Sequence, residues 1–512
     1  MRTEAAVLRE AGADWTIEEV ELDPPGAGEV LVRVAAAGLC HSEEHHRCGD
    51  VPFAAPLIGG HEGAGHVEAI GPGVTVTKPG DFVVFSCIPN CGRCPSCAQG
   101  RQNLCDAAAG IMNGLQIADG TSRHHDPGGG ADYRISCQIG CCARHTVVHE
   151  FSVIPADASV RPEVACVAGC GVPTGWGSSV YAGGVRPGDS VAVVGAGGLG
   201  SAAVQGARLA GARKIFAIDP VPFKREKALG FGATHTAESV TAAFDLIREV
   251  TWGRLCDVVV LTMGTGRSDM MDDIVKLAGK RGRIVVTNIY PAGDARPALA
   301  LGGLGLFETR IVGCLFGSVN SRADIPRLLA LYKDGLLDLD GMVTRTYPLD
   351  GINAGYQDML DGKNIRGVLV MDLQAVPFEG GEVVLAGQRV PLGGKRLLAG
   401  GRLAVGADGR LVERVLGGLA LLAVMRFGAR PPGQVPVRLR RRLPRGGQLG
   451  DHRRRQVRLA RHALQLAQQG APAAGRLAER VGGGRDAGAA ALYGDHGVVD
   501  GAAIAAALRQ QP

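Results

Sequence analysis

The sequence of 512 residues has no long hydrophobic run and few aromatic residues, which make up 4% of it. No window approaches the ~20 consecutive apolar residues of a membrane-spanning helix. The first residues, Met1 to Ala5, lack the apolar stretch of a signal peptide. We therefore expect a cytoplasmic protein without a membrane segment. The length leaves room for about two or three domains with a sizeable core.

The C-terminal part of the chain, residues 374–512, lacks cysteine and tryptophan and has a single lysine. It carries 21 arginines against 9 acidic residues, whereas acidic residues outnumber basic ones in residues 1–373. An arginine-rich run such as Arg438 to Arg455 is one signal of nucleic acid binding. The run has no aromatic residue on which bases could stack. We therefore favour an out-of-frame or read-through extension, disordered or loosely helical, without a function.

All 14 cysteines lie between Cys40 and Cys314, and in a long intracellular enzyme such spaced cysteines indicate metal binding more often than disulfides. Four of them fall within one short loop: Cys91, Cys94, Cys97 and Cys105. Four thiolates can close a tetrahedral shell, which predicts a structural zinc. An iron–sulfur cluster is disfavoured, because the bacterial ferredoxin pattern ends in proline and Asp106 stands there instead.

A second set of candidate zinc ligands comes from three separate stretches of the chain. Cys40, His61 and Cys170 would supply two thiolates and one imidazole. Three protein ligands leave a fourth position open for water or substrate, which is typical of a catalytic zinc. A further metal site could be read into Arg123 to Asp126 and the cysteines at 137, 141 and 142. We favour a glycine-rich loop with incidental thiols there.

The pattern of strands and turns predicts two kinds of domain. Residues 1 to about 85 contain β-rich runs, such as Glu29 to Val34 and Gly65 to Ile70, between Gly/Pro turns, which suggests a small β-barrel-like domain. Farther along, strands and helices alternate, which predicts a doubly wound parallel sheet. The predicted elements are strands at 190–194, 214–218, 257–261, 283–287 and 311–316, helices at 201–210 and 271–278, and a helix that opens with Asp324 as N-cap before Pro326.

The loop after the strand at 190–194 has the spacing of a dinucleotide-binding loop. Its glycines are Gly195, Gly197 and Gly200, and Asp219 ends the next strand 19 residues past the last of them. The glycines let the backbone approach a pyrophosphate at a helix N-terminus, and the carboxylate accepts a hydrogen bond from the adenosine ribose. Asp219 favours NAD over NADP, because a carboxylate repels a 2′-phosphate.

Taken together, residues 1–373 resemble the zinc-containing medium-chain alcohol dehydrogenases. The matching pieces are Gly38-Leu39-Cys40-His41-Ser42, Gly60-His61-Glu62, the four-cysteine loop, Gly169-Cys170-Gly171, the glycine loop and Asn364-Ile365-Arg366. Within that family the chain looks most like the actinobacterial enzymes assayed with nitrosodimethylaniline (NDMA), on the pieces around Arg254 and from Arg322 to Arg327.

The resemblance implies an α/β fold made of a GroES-like β-barrel catalytic domain and a Rossmann domain. The catalytic domain would span residues 1–171, with the structural zinc lobe at about 87–106, and the NAD-binding Rossmann domain 172–312. Residues 313–373 would return to the catalytic domain, and residues 374–512 are the extension. The strand at 311–316 would pair subunits into a homo-oligomer.

The resemblance also implies the roles of individual residues. Two zinc ions would be bound per chain, a catalytic one by Cys40, His61 and Cys170 and a structural one by the four-cysteine loop. Ser42 and His45 correspond to the proton relay, His41 and Arg366 to pyrophosphate contacts, and Lys224 to an adenosine-ribose contact. Considered without the resemblance, the sequence around Lys224 would be interpreted as a solvated helix with an exposed lysine, and His45 would be interpreted as a surface histidine.

By the same resemblance, the protein would oxidise primary alcohols to aldehydes by hydride transfer to a tightly bound NAD, which an external electron acceptor would reoxidise. A glutathione-dependent formaldehyde dehydrogenase is the nearest alternative. A zinc-free quinone reductase of the same fold is disfavoured, because the full set of zinc ligands is present.

Three positions depart from the family pattern. Glu43 replaces the aspartate that orients the zinc-binding histidine; Glu43 and Glu62 are candidates for supporting the ligands. Cys87 stands where the family often has an aromatic residue, which predicts a wider alcohol pocket with an extra thiol. The segment Gly140-Cys141-Cys142-Ala143-Arg144-His145 replaces a Gly-Thr-Phe-Ala-Glu motif.

Overall fold

The structure is a computed structural model that describes residues 1–371 apart from 295, 296 and 298, together with five short strands between residues 382 and 426. The chain divides into two compact units, Met1–Ala375 and Val376–Pro512. In the described part, no helix has the length and apolar character needed to cross a membrane.

The first 155 residues form two sheets, and central strands such as Glu29–Gly38 and Phe82–Phe85 are buried along most or all of their length. The strands are, in chain order, β1 (Arg2–Leu8), β2 (Thr16–Leu22), β3 (Glu29–Gly38), β4 (Leu57–Ile58), β5 (Gly63–Ile70), β6 (Phe82–Phe85), β7 (His124–His125), β8 (Arg134–Ile135), β9 (His145–His149) and β10 (Val153–Pro155). One sheet has the order β7-β2-β1-β4-β8. The other is built around β3, which pairs with both β5 and β9. This β-rich unit agrees with the β-barrel-like domain predicted from the sequence.

The α-helices between residues 41 and 177 are short. They are α1 (His41–Arg47), α2 (Pro95–Ala98), α3 (Pro162–Ala165) and α4 (Gly171–Gly177). Cys40 is the N-cap of α1 and Cys170 the N-cap of α4. The two helix starts therefore place two of the predicted zinc ligands.

The middle of the chain forms the predicted doubly wound parallel sheet. Its strands are β11 (Ser190–Val194), β12 (Lys214–Ile218), β13 (His235–Ala237), β14 (Cys256–Leu261), β15 (Ala278–Val286) and β16 (Arg310–Gly313), in the order β13-β12-β11-β14-β15-β16. The helices between them are α5 (Gly198–Leu209), α6 (Pro222–Phe231), α7 (Val240–Val250), α8 (Met271–Lys276) and α9 (Leu301–Leu306). Buried valine, alanine and isoleucine side chains cover both faces of the sheet, as a parallel sheet requires.

The last described part of the first unit returns to the β-rich domain. Its elements are α10 (Ser321–Lys333), β17 (Val343–Tyr347), α11 (Ile352–Leu360) and β18 (Arg366–Val370). Val368 of β18 pairs with Gly38 of β3, antiparallel. The C-terminal end of this unit is thereby held beside the strand that leads to Cys40.

Several predicted elements have different bounds in the structure, among them α5, α8, β15, α10 and β16. Helix α10 begins at Ser321 with Asn320 as N-cap, and Asp324 lies inside it, so the predicted N-cap at Asp324 is wrong. The Asp324 carboxylate instead accepts the backbone N–H of Asn320, at 2.8 Å. Strand β16 stops at Gly313, short of the predicted 316, because Phe316 has φ of 52° and begins a short 3-10 helix.

In the second unit, the structure describes only the backbone of five strands. Strand β19 (Glu382–Leu385) pairs antiparallel with β20 (Gln388–Pro391). Strands β21 (Leu403–Val405), β22 (Arg410–Glu413) and β23 (Val424–Arg426) form an antiparallel sheet. The prediction for residues 374–512, including the arginine-rich run, otherwise lies outside the described residues.

Candidate metal and cofactor site

The three predicted catalytic ligands come together although they lie far apart in the sequence. The donor atoms of Cys40, His61, Cys170 and the neighbouring Glu62 all lie within 4.8 Å of one another. Cys40 follows β3, His61 lies in the turn between β4 and β5, and Cys170 precedes α4. Cys40 and His61 are buried, and Cys170 is half-buried.

Glu43 holds His61 from the side opposite the thiols. Its Oε1 lies 2.6 Å from Nδ1 of His61 and also accepts hydrogen bonds from the Gly60 backbone N–H and the Ser136 hydroxyl. Burial opposes a charged His61, but the Glu43 carboxylate raises the pKa of the imidazole well above its usual value. Nδ1 is therefore engaged by Glu43, and Nε2 faces the thiols. The longer side chain of glutamate reaches the histidine as the family's aspartate would.

A buried ion pair joins Glu62 to Arg366. Oε2 of Glu62 pairs with the Arg366 guanidinium, and its Oε1 accepts the backbone N–H of Gly171 at 3.1 Å. Burial raises the pKa of Glu62 to about 7, against the attraction of Arg366. Because both Glu62 oxygens have partners, Cys40, His61 and Cys170 are the donors left for a metal. Two thiols and one imidazole suit zinc.

The thiols of this cluster interact with one another. A hydrogen bond from Cys170 is the largest influence that lowers the pKa of Cys40, and the same contact raises the pKa of Cys170. Cys170 also packs against an apolar cluster that includes Cys87. Cys87 packs in a small apolar cluster with Ile88, Phe316 and Val319. The structure thus places the Cys87 thiol in an apolar cluster next to Cys170, one of the predicted zinc ligands.

The four-cysteine loop forms a second, local cluster. The sulfurs of Cys91, Cys94, Cys97 and Cys105 lie within 4.8 Å of one another. Backbone N–H groups of Asp106 and Cys97 donate to the sulfur of Cys94 and lower its pKa to about 7. Such N–H donors stabilise a thiolate, which is the form that binds zinc. No open side remains in a shell of four sulfurs.

The glycine loop has the geometry needed for a dinucleotide. Gly195 has φ of +98°, and a methyl group on Gly200 would overlap the carbonyl oxygen of Gly195. Asp219 lies at the end of β12, where its two oxygens accept the backbone N–H groups of Ala196 and Val221 at 2.8 and 2.9 Å. The Arg366 side chain lies against Gly198, at the start of α5. Gly197, with open space in front of it, completes the loop.

The two residues predicted for the relay lie along α1, together with His41, one of the two predicted pyrophosphate contacts. The hydroxyl of Ser42 is 3.5 Å from the sulfur of Cys40. His41 lies against Gly264, which follows β14. Burial is the main cause of the lowered pKa of His41, and the charge of Lys224 on α6 adds to it. His45 is buried, with Nε2 3.0 Å from the carbonyl oxygen of Gly264.

Sequence reasoning missed the partners of two site residues. Asp50 is one, since its Oδ2 lies 2.8 Å from Nδ1 of His45. Ser136, which donates to Glu43, is the other. The sequence offers one local signal that Asp50 could reach His45. The aspartate follows the histidine by five residues, and Gly49 can turn the chain between them. Ser136 lies 93 residues from Glu43, and nothing in the sequence pattern connects them.

The histidines and cysteines between residues 123 and 142 do not form a metal site among the described residues. His125 bridges Asp23 and Asp132, whereas His124 is buried and burial lowers its pKa to about 3. The backbone N–H of Cys141 donates to the carbonyl oxygen of Gly60, and that of Cys142 donates to the carbonyl oxygen of Gly59. Both acceptors immediately precede His61 in the chain. The altered segment thus supports the turn that carries this ligand.

Comparisons with known proteins identify the family of this chain. The family described as "Alcohol dehydrogenase GroES-like domain" matches residues 26–158, and "Zinc-binding dehydrogenase" matches residues 198–334. The chain is 49% identical over 370 residues to the NDMA-dependent alcohol dehydrogenase of Amycolatopsis methanolica, covering 72% of this chain and 99% of that one. It is 34% identical to the S-(hydroxymethyl)glutathione dehydrogenase of Paracoccus denitrificans, covering 72% of this chain and 100% of that one.

Among solved structures, the crystal structure of the alcohol dehydrogenase zinc-binding domain protein from Burkholderia ambifaria is similar, with a TM-score of 0.68 and 33% identity. The match covers 72% of this chain and 99% of the Burkholderia ambifaria chain. The fold and the ligand clusters therefore define a medium-chain dehydrogenase. The chain belongs to the zinc-binding alcohol dehydrogenase family. It is an oxidoreductase that oxidises alcohols and uses zinc and a nicotinamide cofactor.

Proposed function

We propose that the protein oxidises primary alcohols to aldehydes with two zinc ions and a tightly held NAD. The convergence of Cys40, His61 and Cys170 at one point, beside the apolar surface around Cys87, is the observation that carries this proposal. The catalytic domain would comprise residues 1–171 and 313–373, and the NAD-binding domain residues 172–312.

Cys40, His61 and Cys170 would hold the catalytic zinc, and the four-cysteine loop would hold the structural one. When bound, the catalytic zinc acts as a Lewis acid that makes the alcohol proton easier to remove near neutral pH. Glu43 fixes the ring of His61, and such support of a ligand raises metal affinity. The apolar side chains beside Cys87 would exclude water from the alcohol carbon.

Ser42 and His45 would carry the alcohol proton to solvent. The Ser42 hydroxyl lies beside Cys40, so it can accept a proton from an alcohol in the cluster and donate its own. In this arrangement Nε2 of His45 donates to the carbonyl of Gly264. His45 would therefore have to release a proton and turn from Gly264 before it could accept the alcohol proton, which the nicotinamide ribose hydroxyls would carry from Ser42. The Asp50 carboxylate accepts a hydrogen bond from Nδ1 of His45, and the Asp50 side chain is 25% exposed. Asp50 would therefore give the proton an exit to water.

The cofactor would lie along the glycine loop. Arg366 would contact the pyrophosphate at the N-terminus of α5, with His41 on the other side, and Asp219 and Lys224 would bind the adenosine ribose. Asp219 supports NAD as the cofactor, because a buried carboxylate repels a 2′-phosphate. The nicotinamide, when bound, would supply the redox chemistry by accepting hydride from the alcohol carbon.

An external electron acceptor would regenerate the NAD in place. Support comes from the 49% identical relative, whose name describes it as NDMA-dependent. The glutathione-dependent alternative has weaker support, since the relative with that activity is 34% identical. Edge strand β16 would pair two subunits, because an uncovered edge offers free backbone hydrogen-bonding groups.

A turnover assay on short and aromatic primary alcohols tests the proposal. The purified chain receives either free NAD or a nitroso electron acceptor alone. We expect aldehyde formation with the acceptor alone, and NAD in the protein after denaturation. Turnover that requires added NAD and releases NADH would contradict the tightly held cofactor but not the alcohol dehydrogenase activity.

A further inference from the structure

A third group of metal-type ligands lies at the C-terminal end of α1, outside both cysteine clusters. The donor atoms of His45, Cys48 and Asp50 lie within 4.8 Å of one another. His45 is buried, Asp50 is half-buried and Cys48 is exposed, so an ion can enter from solvent. We propose that these three residues, the α1-end site, bind one additional Zn²⁺ and that this ion inhibits the enzyme.

The local backbone brings the three donors together. Cys48 is the C-cap of α1, and Gly49 with φ of +83° turns the chain back. Asp50 thereby reaches His45, with 2.8 Å between Oδ2 and Nδ1. Zinc bonds of ~2.0–2.3 Å place neighbouring donors roughly 3.3–3.7 Å apart in a tetrahedron. Nδ1 and Oδ2 would therefore have to move apart by less than about 1 Å to bind the ion. A water molecule would complete the shell.

The ligand chemistry selects zinc over hard cations. Imidazole, thiolate and carboxylate are all zinc ligands, whereas Mg²⁺ and Ca²⁺ prefer oxygen alone. Burial raises the pKa of the Cys48 thiol, so the free residue carries its proton at neutral pH. Zinc binding would displace that proton, because the thiolate is the form that binds the metal. No electron is transferred.

The position of the α1-end site gives binding a consequence for catalysis. The ion would occupy Nδ1 of His45, while Nε2 keeps its proton and its bond to Gly264. The proton path from Nδ1 to Asp50 is then closed. This consequence, unlike zinc binding itself, rests on the relay role proposed for His45. Excess Zn²⁺ should therefore slow alcohol oxidation, by up to the ~10²-fold that a positioned proton-transfer group contributes.

The test uses the full chain as purified, with its own zinc, dialysed against free Zn²⁺ at micromolar concentration. We expect one extra zinc per chain, with proton release as the extra ion binds and no corresponding uptake of Mg²⁺. The extra zinc should be lost in Cys48→Ser and in Asp50→Asn. His46→Gln, which removes a neighbouring imidazole of the same helix, is the matched control and should keep it.

Two outcomes separate this inference from the proposed function. Extra zinc that persists unchanged in Cys48→Ser and Asp50→Asn would overturn the α1-end site, since the ion would then bind elsewhere, for example at the histidines of residues 374–512. Extra zinc that is lost in both variants, but never slows alcohol oxidation by the parent chain, would support the site and contradict the relay role of His45. Inhibition that is equally strong in Cys48→Ser would also overturn the inference.

Discussion

The two cysteine clusters of this protein use similar atoms in different surroundings. The four-cysteine loop draws all its donors from residues 91–105, and Cys91 and Cys94 are half-buried. The cluster at Cys40 draws its donors from stretches up to 130 positions apart and lies among the buried charged groups of Glu43, Glu62 and Arg366. Sulfur donors alone therefore do not decide what each cluster can do. Local hydrogen bonds position the sulfurs of one cluster, whereas segments from distant parts of the chain position the donors of the other.

Removal of a ligand from the tertiary cluster should have the largest effect. Cys170→Ala leaves Cys40 and His61 as a pair, which holds zinc poorly. We expect kcat/KM for alcohols to fall about 10³-fold, because Lewis-acid assistance contributes several kcal/mol. Zinc content should fall by one ion while the thermal unfolding temperature changes little. Cys166→Ala, which removes a buried thiol in the same segment, should keep the activity and the zinc content of the parent chain. A fully active Cys170→Ala would refute the assignment of Cys170 as a ligand.

Removal of a ligand from the local loop should affect stability instead. We expect Cys97→Ser to lose one zinc and about 3 kcal/mol of unfolding free energy, less than an isolated zinc finger would lose because only one loop depends on the ion. Trypsin should then cut at Arg93 and Arg101, which are exposed. Limited proteolysis with denaturant titration measures both effects. Ser96→Ala serves as control, and unchanged protease resistance of Cys97→Ser would argue against a structural zinc.

The support of His61 is the next feature that sets the tertiary cluster apart. Glu43→Gln keeps the shape of the side chain but removes the charge that faces Nδ1. We expect zinc affinity or activity to fall about 10–100-fold, as for other residues that orient metal ligands. Competition with a chelator measures the affinity. Glu44→Gln, next to it on α1 but paired with Arg47, should bind zinc normally; equal losses in both variants would mean a general disturbance of the helix.

The smallest expected change concerns the thiol beside Cys170. Cys87→Phe fills part of the apolar cluster with a larger side chain, so bulky alcohols should lose more activity than ethanol. We expect the ratio of kcat/KM values for an aromatic alcohol and ethanol to fall about tenfold, the scale of a steric change in an apolar pocket. Cys87→Ser should keep the ratio of the parent chain. An unchanged ratio in Cys87→Phe would show that Cys87 does not limit the alcohol pocket.

Several features could be predicted from the sequence because their physical causes are local. The four cysteines lie close enough in sequence for any compact loop to bring them together. Strand β11 agrees with its predicted bounds, because a buried apolar run that ends at Gly195 has few alternatives. The order of strands and helices around the glycine loop likewise follows from alternating patterns. These signals need no knowledge of distant contacts.

Other features required the tertiary structure. Glu62 and Arg366 lie 304 residues apart, and only the pairing of β18 with β3 brings them together. The start of α10 was misplaced because the carboxylate of Asp324 reaches back to Asn320, an alternative that the pattern of Asp and Pro does not reveal.

The family, the parallel sheet and the candidate metal ligands could be read from the sequence, because periodicity, glycine spacing and donor chemistry are local properties of the chain. The tertiary structure was needed to show that Asp50 lies beside His45, that Ser136 donates to Glu43 and that Cys170 packs against the cluster of Cys87. Hydrogen bonds and sulfur contacts act over a few ångströms, and strand pairing between distant segments sets most of those separations.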